Sequence, residues 1–246
     1  MKLFFAFLMM FAAVMSLPAE APPEVLEISD VRETSAFDES KVYYQNRSVL
    51  PGTACRSNWV SDVTIIGDSS QFPGPQQIAV TYHAYEFGNQ AYTVTLTVQG
   101  GDRAWNLRYD NMVCDVFGLL GNTSGTLIIE TQWAAKAYAR TSSQGYGALV
   151  PESSPISGWG DIILPPFDTD QYRMNLILFN DSPIGDIVTV GPDQIFLPPR
   201  ETVILMDVAP ETIIIPGSGS DEHLVISQVD NSTDDPTNIP FWLLTQ

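Results

Sequence analysis

Residues Asp62-Val63-Thr64-Ile65-Ile66-Gly67-Asp68-Ser69 are echoed downstream by Asn175-Leu176-Ile177-Leu178-Phe179-Asn180-Asp181-Ser182. Each stretch has a Leu-Pro upstream, Leu50-Pro51 in one case and Leu164-Pro165 in the other. A further echo sets Leu127-Ile128-Ile129 against Leu224-Val225-Ile226. Self-similarity of this kind is the signature of a chain built from copies of one unit. Both copies consist of short apolar runs punctuated by Gly, Pro, Asn and Asp, which is the pattern of strands and turns.

Outward from the echo, Tyr92-Thr93-Val94-Thr95-Leu96-Thr97-Val98 alternates apolar residues with Thr. That period of two belongs to a strand with one buried and one wet face. Gln99-Gly100-Gly101-Asp102 follows as a hairpin turn, and residues 78–87 and 133–140 are further strand candidates. No segment keeps a helical period beyond about two turns. These features predict an all-β chain of two tandem immunoglobulin-like antiparallel β-sandwich repeats. The first repeat is expected over residues 41–155 and a second, shorter one over 156–246. The continuous runs Leu176-Ile177-Leu178-Phe179 and Ile213-Ile214-Ile215 are expected to be buried on both faces where the repeats meet.

Residues 1–21 read as a secretory signal peptide: Lys2, an apolar run from Leu3 to Met15, then small residues and prolines. Residues 22–40 read as an acidic linker. No other run is long enough for a membrane span. The net charge is −18, from 29 acidic and 11 basic residues, which repels a phosphate backbone and argues against nucleic acid as a partner. The two cysteines, Cys55 and Cys114, are expected to pair as a disulfide in an exported chain. The expected localisation is secreted or extracellular, with the periplasm or a cell surface included.

The second copy ends Val229-Asp230-Asn231-Ser232-Thr233-Asp234-Asp235-Pro236-Thr237-Asn238-Ile239-Pro240. This resembles the "VDN-x-T-x-DP-x-x-IP" ending of tandem β-sandwich repeats of secreted bacterial proteins of uncharacterised role. Arg140-Thr141, Gly145-Tyr146-Gly147 and Leu149-Val150-Pro151 look like the ending that precedes a second repeat there, and Arg173 to Asn180 is similar to that family's "R-T-N-L-x-L-x-N" strand. The resemblance implies the sandwich fold and export, and no activity.

The candidate chemistry is sparse. His83 sits in a strand pattern and His223 follows Asp221-Glu222, neither in a nucleophile motif. The chain is therefore expected to be non-enzymatic, with no catalytic, cofactor or metal residues assigned. Its expected role is a structural or interaction module whose partner is an unknown protein or glycan surface. Two other readings stand beside it. Trp59, Trp105 and Trp133 offer rings for a glycan-facing surface. Asp168-Thr169-Asp170 and the acidic loop from Asp230 to Asp235 offer oxygens for a calcium-dependent adhesion module. Asn46, Asn122, Asn180 and Asn231 each open an Asn-X-Ser/Thr acceptor sequence.

Overall fold

The computed structural model describes residues 25–29, 32–34, 46–56, 59–68, 74–99, 104–119, 122–143, 146–156, 160–219, 221–233 and 236–239. The expected signal peptide lies outside them. The chain is all-β and antiparallel throughout. Its first body holds β1 (Val25–Ile28), β2 (Arg32–Thr34), β3 (Asn46–Cys55), β4 (Val60–Asp68), β5 (Pro75–Ala84), β6 (Gln90–Gln99), β7 (Ala104–Tyr109), β8 (Thr123–Thr131), β9 (Ala135–Ser143) and β10 (Tyr146–Val150). The second holds β11 (Ile162–Ile163), β12 (Tyr172–Asn180), β13 (Asp186–Val190), β14 (Asp193–Leu197), β15 (Thr202–Leu205), β16 (Ile213–Ile215), β17 (Glu222–Asp230) and β18 (Pro236–Ile239).

Each body is a pair of layers around its own apolar core. In the first, β6-β5-β8-β3 forms one layer and β7-β4-β9-β10 the other, joined at the β3–β4 corner by the single pair Cys55↔Val60. Leu50, Ile65, Val80, Leu96, Leu127 and Ile129 fill the space between. The alternation read in Tyr92–Val98 is realised here: Val94, Leu96 and Val98 are buried while the Thr residues between them are not. In the second body, β14-β13-β16-β11 packs on β15-β12-β17-β18 over Met174, Leu176, Leu178, Val188, Ile214 and Ile226.

The two bodies share one strand order. Numbering the strands of each body one to eight from β3 and from β11 gives the same neighbours, 1-6-3-4 in one layer and 5-2-7-8 in the other. This differs from the seven-strand immunoglobulin order, where the third strand crosses to the sheet opposite the fourth; here strands three and four stay together as the hairpins β5–β6 and β13–β14. The first echo falls on equivalent strands, β4 and β12. The second does not: Leu127-Ile128-Ile129 lies on β8, whose counterpart is β16 with Ile213-Ile214-Ile215, whereas Leu224-Val225-Ile226 lies on β17. Similar apolar triplets produced the mismatch, because composition alone does not encode strand position.

One other expectation is corrected, and the linker reading gains detail. Part of the acidic linker is strand: β1 and β2 pair with β6 and cover its free edge. An open row of backbone donors and acceptors on a ten-residue strand captures any extended chain able to satisfy it. Ile213 and Ile215 are not buried on both faces; they are 43% and 44% exposed, and only Ile214 points into the core.

Cys55 and Cys114 are joined, with Cα atoms 5.3 Å apart. The bridge ties the β3–β4 corner to the helical turn Met112–Asp115. It closes a loop of sequence separation 59, which the loop-entropy relation values at about 4 kcal/mol. Equilibrium denaturation of the Cys55→Ala, Cys114→Ala double variant is expected to show a loss of that order; a loss of under about 1 kcal/mol would refute the entropic role.

Candidate functional site

The side chains with chemical potential converge where the two bodies meet. Antiparallel pairing sets His223 of β17, Phe179 of β12 and Thr202 of β15 in one row on the outer face of the second body. That row lies on the outer face of the first body, where Val49 of β3 is paired with Ile128 of β8. Val49, Ile128 and Phe179 form an apolar cluster of their own, with Phe179 fully buried. His83 of β5 stands 5.3 Å from the Phe179 ring, and His223 stands 6.5 Å from it on another side.

Polar contacts surround this plug. The Arg47 guanidinium donates Nε–H to Asp181 Oδ2 at 2.7 Å and Nη2–H to Oδ1 at 2.5 Å, the fork geometry that suits a carboxylate. Arg47 also meets Glu130, and Arg200 donates to the same Asp181. Asn89 accepts from the Thr202 amide at 2.8 Å and donates to Glu201. The Thr126 and Thr202 hydroxyls lie 2.9 Å apart. The strand β3 bulges at Gly52, whose φ of +90° suits glycine. A Cβ there would stand 2.9 Å from the Ile177 methyl of the second body.

Burial pushes the His83 imidazole down to about 4, and the cations Arg47 and Arg200 act in the same direction while Asp181 opposes them. His223 is lowered as well, chiefly by burial; its Nδ1 lies 3.0 Å from the Ser153 carbonyl. Both rings are therefore neutral at neutral pH and buried in the seam between the bodies.

A pair of carboxyls lies nearby in the second body. Asp186, at the start of β13, accepts from the Ile187 amide at 2.7 Å and from the Gly219 amide. Glu222, at the start of β17, is completely covered. Its oxygens meet no donor, so they need a proton of their own, and a Glu222 carboxyl can direct it at Asp186. Burial and the Asp186 carboxylate together raise Glu222 to about 7, while the bond from Glu222 lowers Asp186. The cover is tight: a Cβ at Gly219 would stand 2.3 Å from Asp186 Oδ2 and 2.4 Å from Glu222 Oε1. The pair is a clasp for the loop before β17, with Glu222 covered and Asp186 partly exposed at its rim.

The residues singled out for binding do not come together. Trp133 is 1% exposed and belongs to the first core, so it is no glycan-facing ring. An aromatic ring just before a strand is as easily drawn inward as presented outward, and the sequence does not distinguish the two. Trp59 is half-buried beside the disulfide corner, and the side chain of Trp105 lies outside the described residues. Asp168 and Asp230 accept from backbone amides two residues on, as turn formers do. Among the described residues no group of three or more His, Cys, Asp or Glu side chains could hold a metal ion. Asn180 is buried with its amide donating to the Ile184 and Leu197 carbonyls, whereas Asn122 is exposed. The sequence reading missed Arg47, Asp181 and Arg200. Their one visible signal is the replacement of Ile66 by Phe179 within the echo. No protein-family model matches the chain, and neither a curated protein nor a solved structure matches it.

Phe179→Ala should cost about 3–5 kcal/mol and separate the two bodies into distinct unfolding transitions in calorimetry; one unchanged transition would refute the plug. The His83 pKa is depressed in the fold, so its stabilisation is whole above pH 6.5 and is lost as pH falls toward 4. Over that range the wild type should lose on the order of 3 kcal/mol more than His83→Gln; parallel curves would remove His83 as the cause. Glu222 has the opposite sign. Its contribution is whole below pH 4.5 and is lost as pH rises through about 7. Glu222→Gln keeps a donor toward Asp186 without a titrating proton, so it should melt higher than wild type at pH 8 and about level with it at pH 5.

Proposed function

We propose that the chain is an exported, non-enzymatic structural or interaction module made of two tandem copies of one eight-strand sandwich. The duplication is supported by the shared strand order and by the echo that places Asp62–Asp68 and Asn175–Asp181 on equivalent strands. The observation that carries the functional reading is the use made of reactive groups. His83, His223 and Glu222 are buried and engaged in holding the bodies or a loop together. Export is supported by the signal-like N-terminus and by the disulfide, which persists in oxidising compartments. No helix among the described residues is long and apolar enough to cross a membrane. The resemblance to secreted bacterial sandwich repeats points the same way.

A pair of sandwiches joined by a buried contact, in a chain of net charge −18, suits a spacer or a docking unit better than a catalyst. Glycan-array screening of the purified chain is expected to give no binding, and its melting temperature in excess chelator should match that in buffer. A specific glycan signal would move the reading to carbohydrate binding, and a large drop in chelator would move it to a calcium-dependent module.

A further inference from the structure

Among the described residues, four acidic or basic side chains are buried: His83, Asp181, His223 and Glu222. The first three lie at the seam between the bodies. His83 and His223 stand on two sides of the Phe179 ring, which itself seats on Val49 and Ile128. Asp181 sits at the rim of the same contact, held by the Arg47 and Arg200 guanidiniums. Glu222 precedes His223 on β17 and faces the opposite side of the strand, toward Asp186.

The seam is badly built to hold another proton. The His83 ring faces the Arg200 backbone carbonyl, while its Nδ1 is buried with neither donor nor acceptor. A doubly protonated imidazole carries an N–H on both nitrogens, so the one on Nδ1 would be left without an acceptor in a dry contact. The ring would also become a cation beside Arg47 and Arg200, with the Asp181 carboxylate opposing them. Around it, Arg47 is shared with Glu130, and Asp221 acts on His223. A proton added anywhere in this cluster either makes a new cation or removes an anion that holds the guanidiniums. Inside the second body the sign is reversed, because the covered Glu222 carboxyl is held in place by being protonated. Acid therefore loads the seam and spares the clasp before β17.

The chain that follows β10 runs through this contact. Val49 of the first body pairs with Ser153, His223 of the second pairs with Pro155, and His223 Nδ1 lies 3.0 Å from the Ser153 carbonyl. The connection between the bodies is thus pinned by the same residues that flank the Phe179 ring. We propose that the seam is an acid-released latch: protonation of His83 and His223 drives the Phe179 ring off Val49 and Ile128, and the two sandwiches part as folded, tethered bodies that re-engage when the protons leave. The latch goes beyond the module reading and does not depend on it. Its sign follows from linkage: His83 is held down to about 4 in the closed seam and returns toward 6.5 once the ring is released, so protons favour the open form.

Small-angle X-ray scattering and far-UV circular dichroism of the purified chain, at several concentrations between pH 7 and pH 4, test it. The radius of gyration is expected to rise between pH 6.5 and 4 while the strand signal holds, and to fall back on return to pH 7. The double variant His83→Gln, His223→Gln keeps hydrogen-bonding groups at both positions without a titrating proton. It should move the midpoint of expansion down by about one pH unit or more. Phe179→Ala should be expanded already at pH 7 and change little toward pH 4. A wild-type radius that stays constant to pH 4 overturns the proposal. So does an expansion that coincides with loss of the strand signal, or a double variant that expands at the wild-type pH. Should the double variant fail to fold, Phe179→Ala decides: an acid expansion equal to that of wild type overturns the latch, and a flat profile supports it.

Discussion

Phe179 inserted between Val49 and Ile128 is the contact on which the arrangement of the chain depends. Without it each sandwich keeps a complete core, and only polar contacts are left to orient one toward the other. With it, Asp181 falls between Arg47 and Arg200, and Thr202 falls against Asn89 and Thr126. The apolar contact and the surrounding ion pairs play different parts. Burial of the ring supplies the driving force, whereas partly covered charges fix register more than they stabilise.

Most of the architecture was legible because strand period and turn chemistry are local signals. Tyr92 to Val98 announced a half-buried strand, and the Asp62–Asn175 echo found the pair of equivalent strands. What was not legible was everything that depends on which strand lies next to which. Composition matches the triplet at 127–129 to the wrong strand, and the run at 213–215 reads as doubly buried although Ile213 and Ile215 face outward. Both errors arise because an apolar residue is written the same way whether it faces a core, a partner or solvent. The run 176–179 marked one side of the interface, with Phe179 buried at the seam, but its polar partners were hidden for the same reason. Arg47, Asp181 and Arg200 are far apart in sequence, and nothing local relates them.

The titratable groups show how one fold can carry opposed sensitivities. Acid acts on the seam between the bodies through His83, and neutrality acts on the loop before β17 through Glu222. Mild acidity is the range in which neither group is asked to hold its less stable charge state. Net charge reinforces this, since an acidic surface repels itself least when some carboxylates are protonated.

The two short strands β1 and β2 bear on the life of the chain before it is folded. They lie along β6, whose Tyr92-Thr93-Val94-Thr95-Leu96-Thr97-Val98 is uncharged, rich in β-branched residues and free of proline. A segment of that composition with an open edge is a template for fibril growth. Its counterpart β14 is half as long, opens with Asp193 and runs straight into Pro198-Pro199, so it carries its own protection. Proteolytic trimming into residues 25–34 would thus leave both cores intact and still turn a well-behaved protein into an aggregation seed.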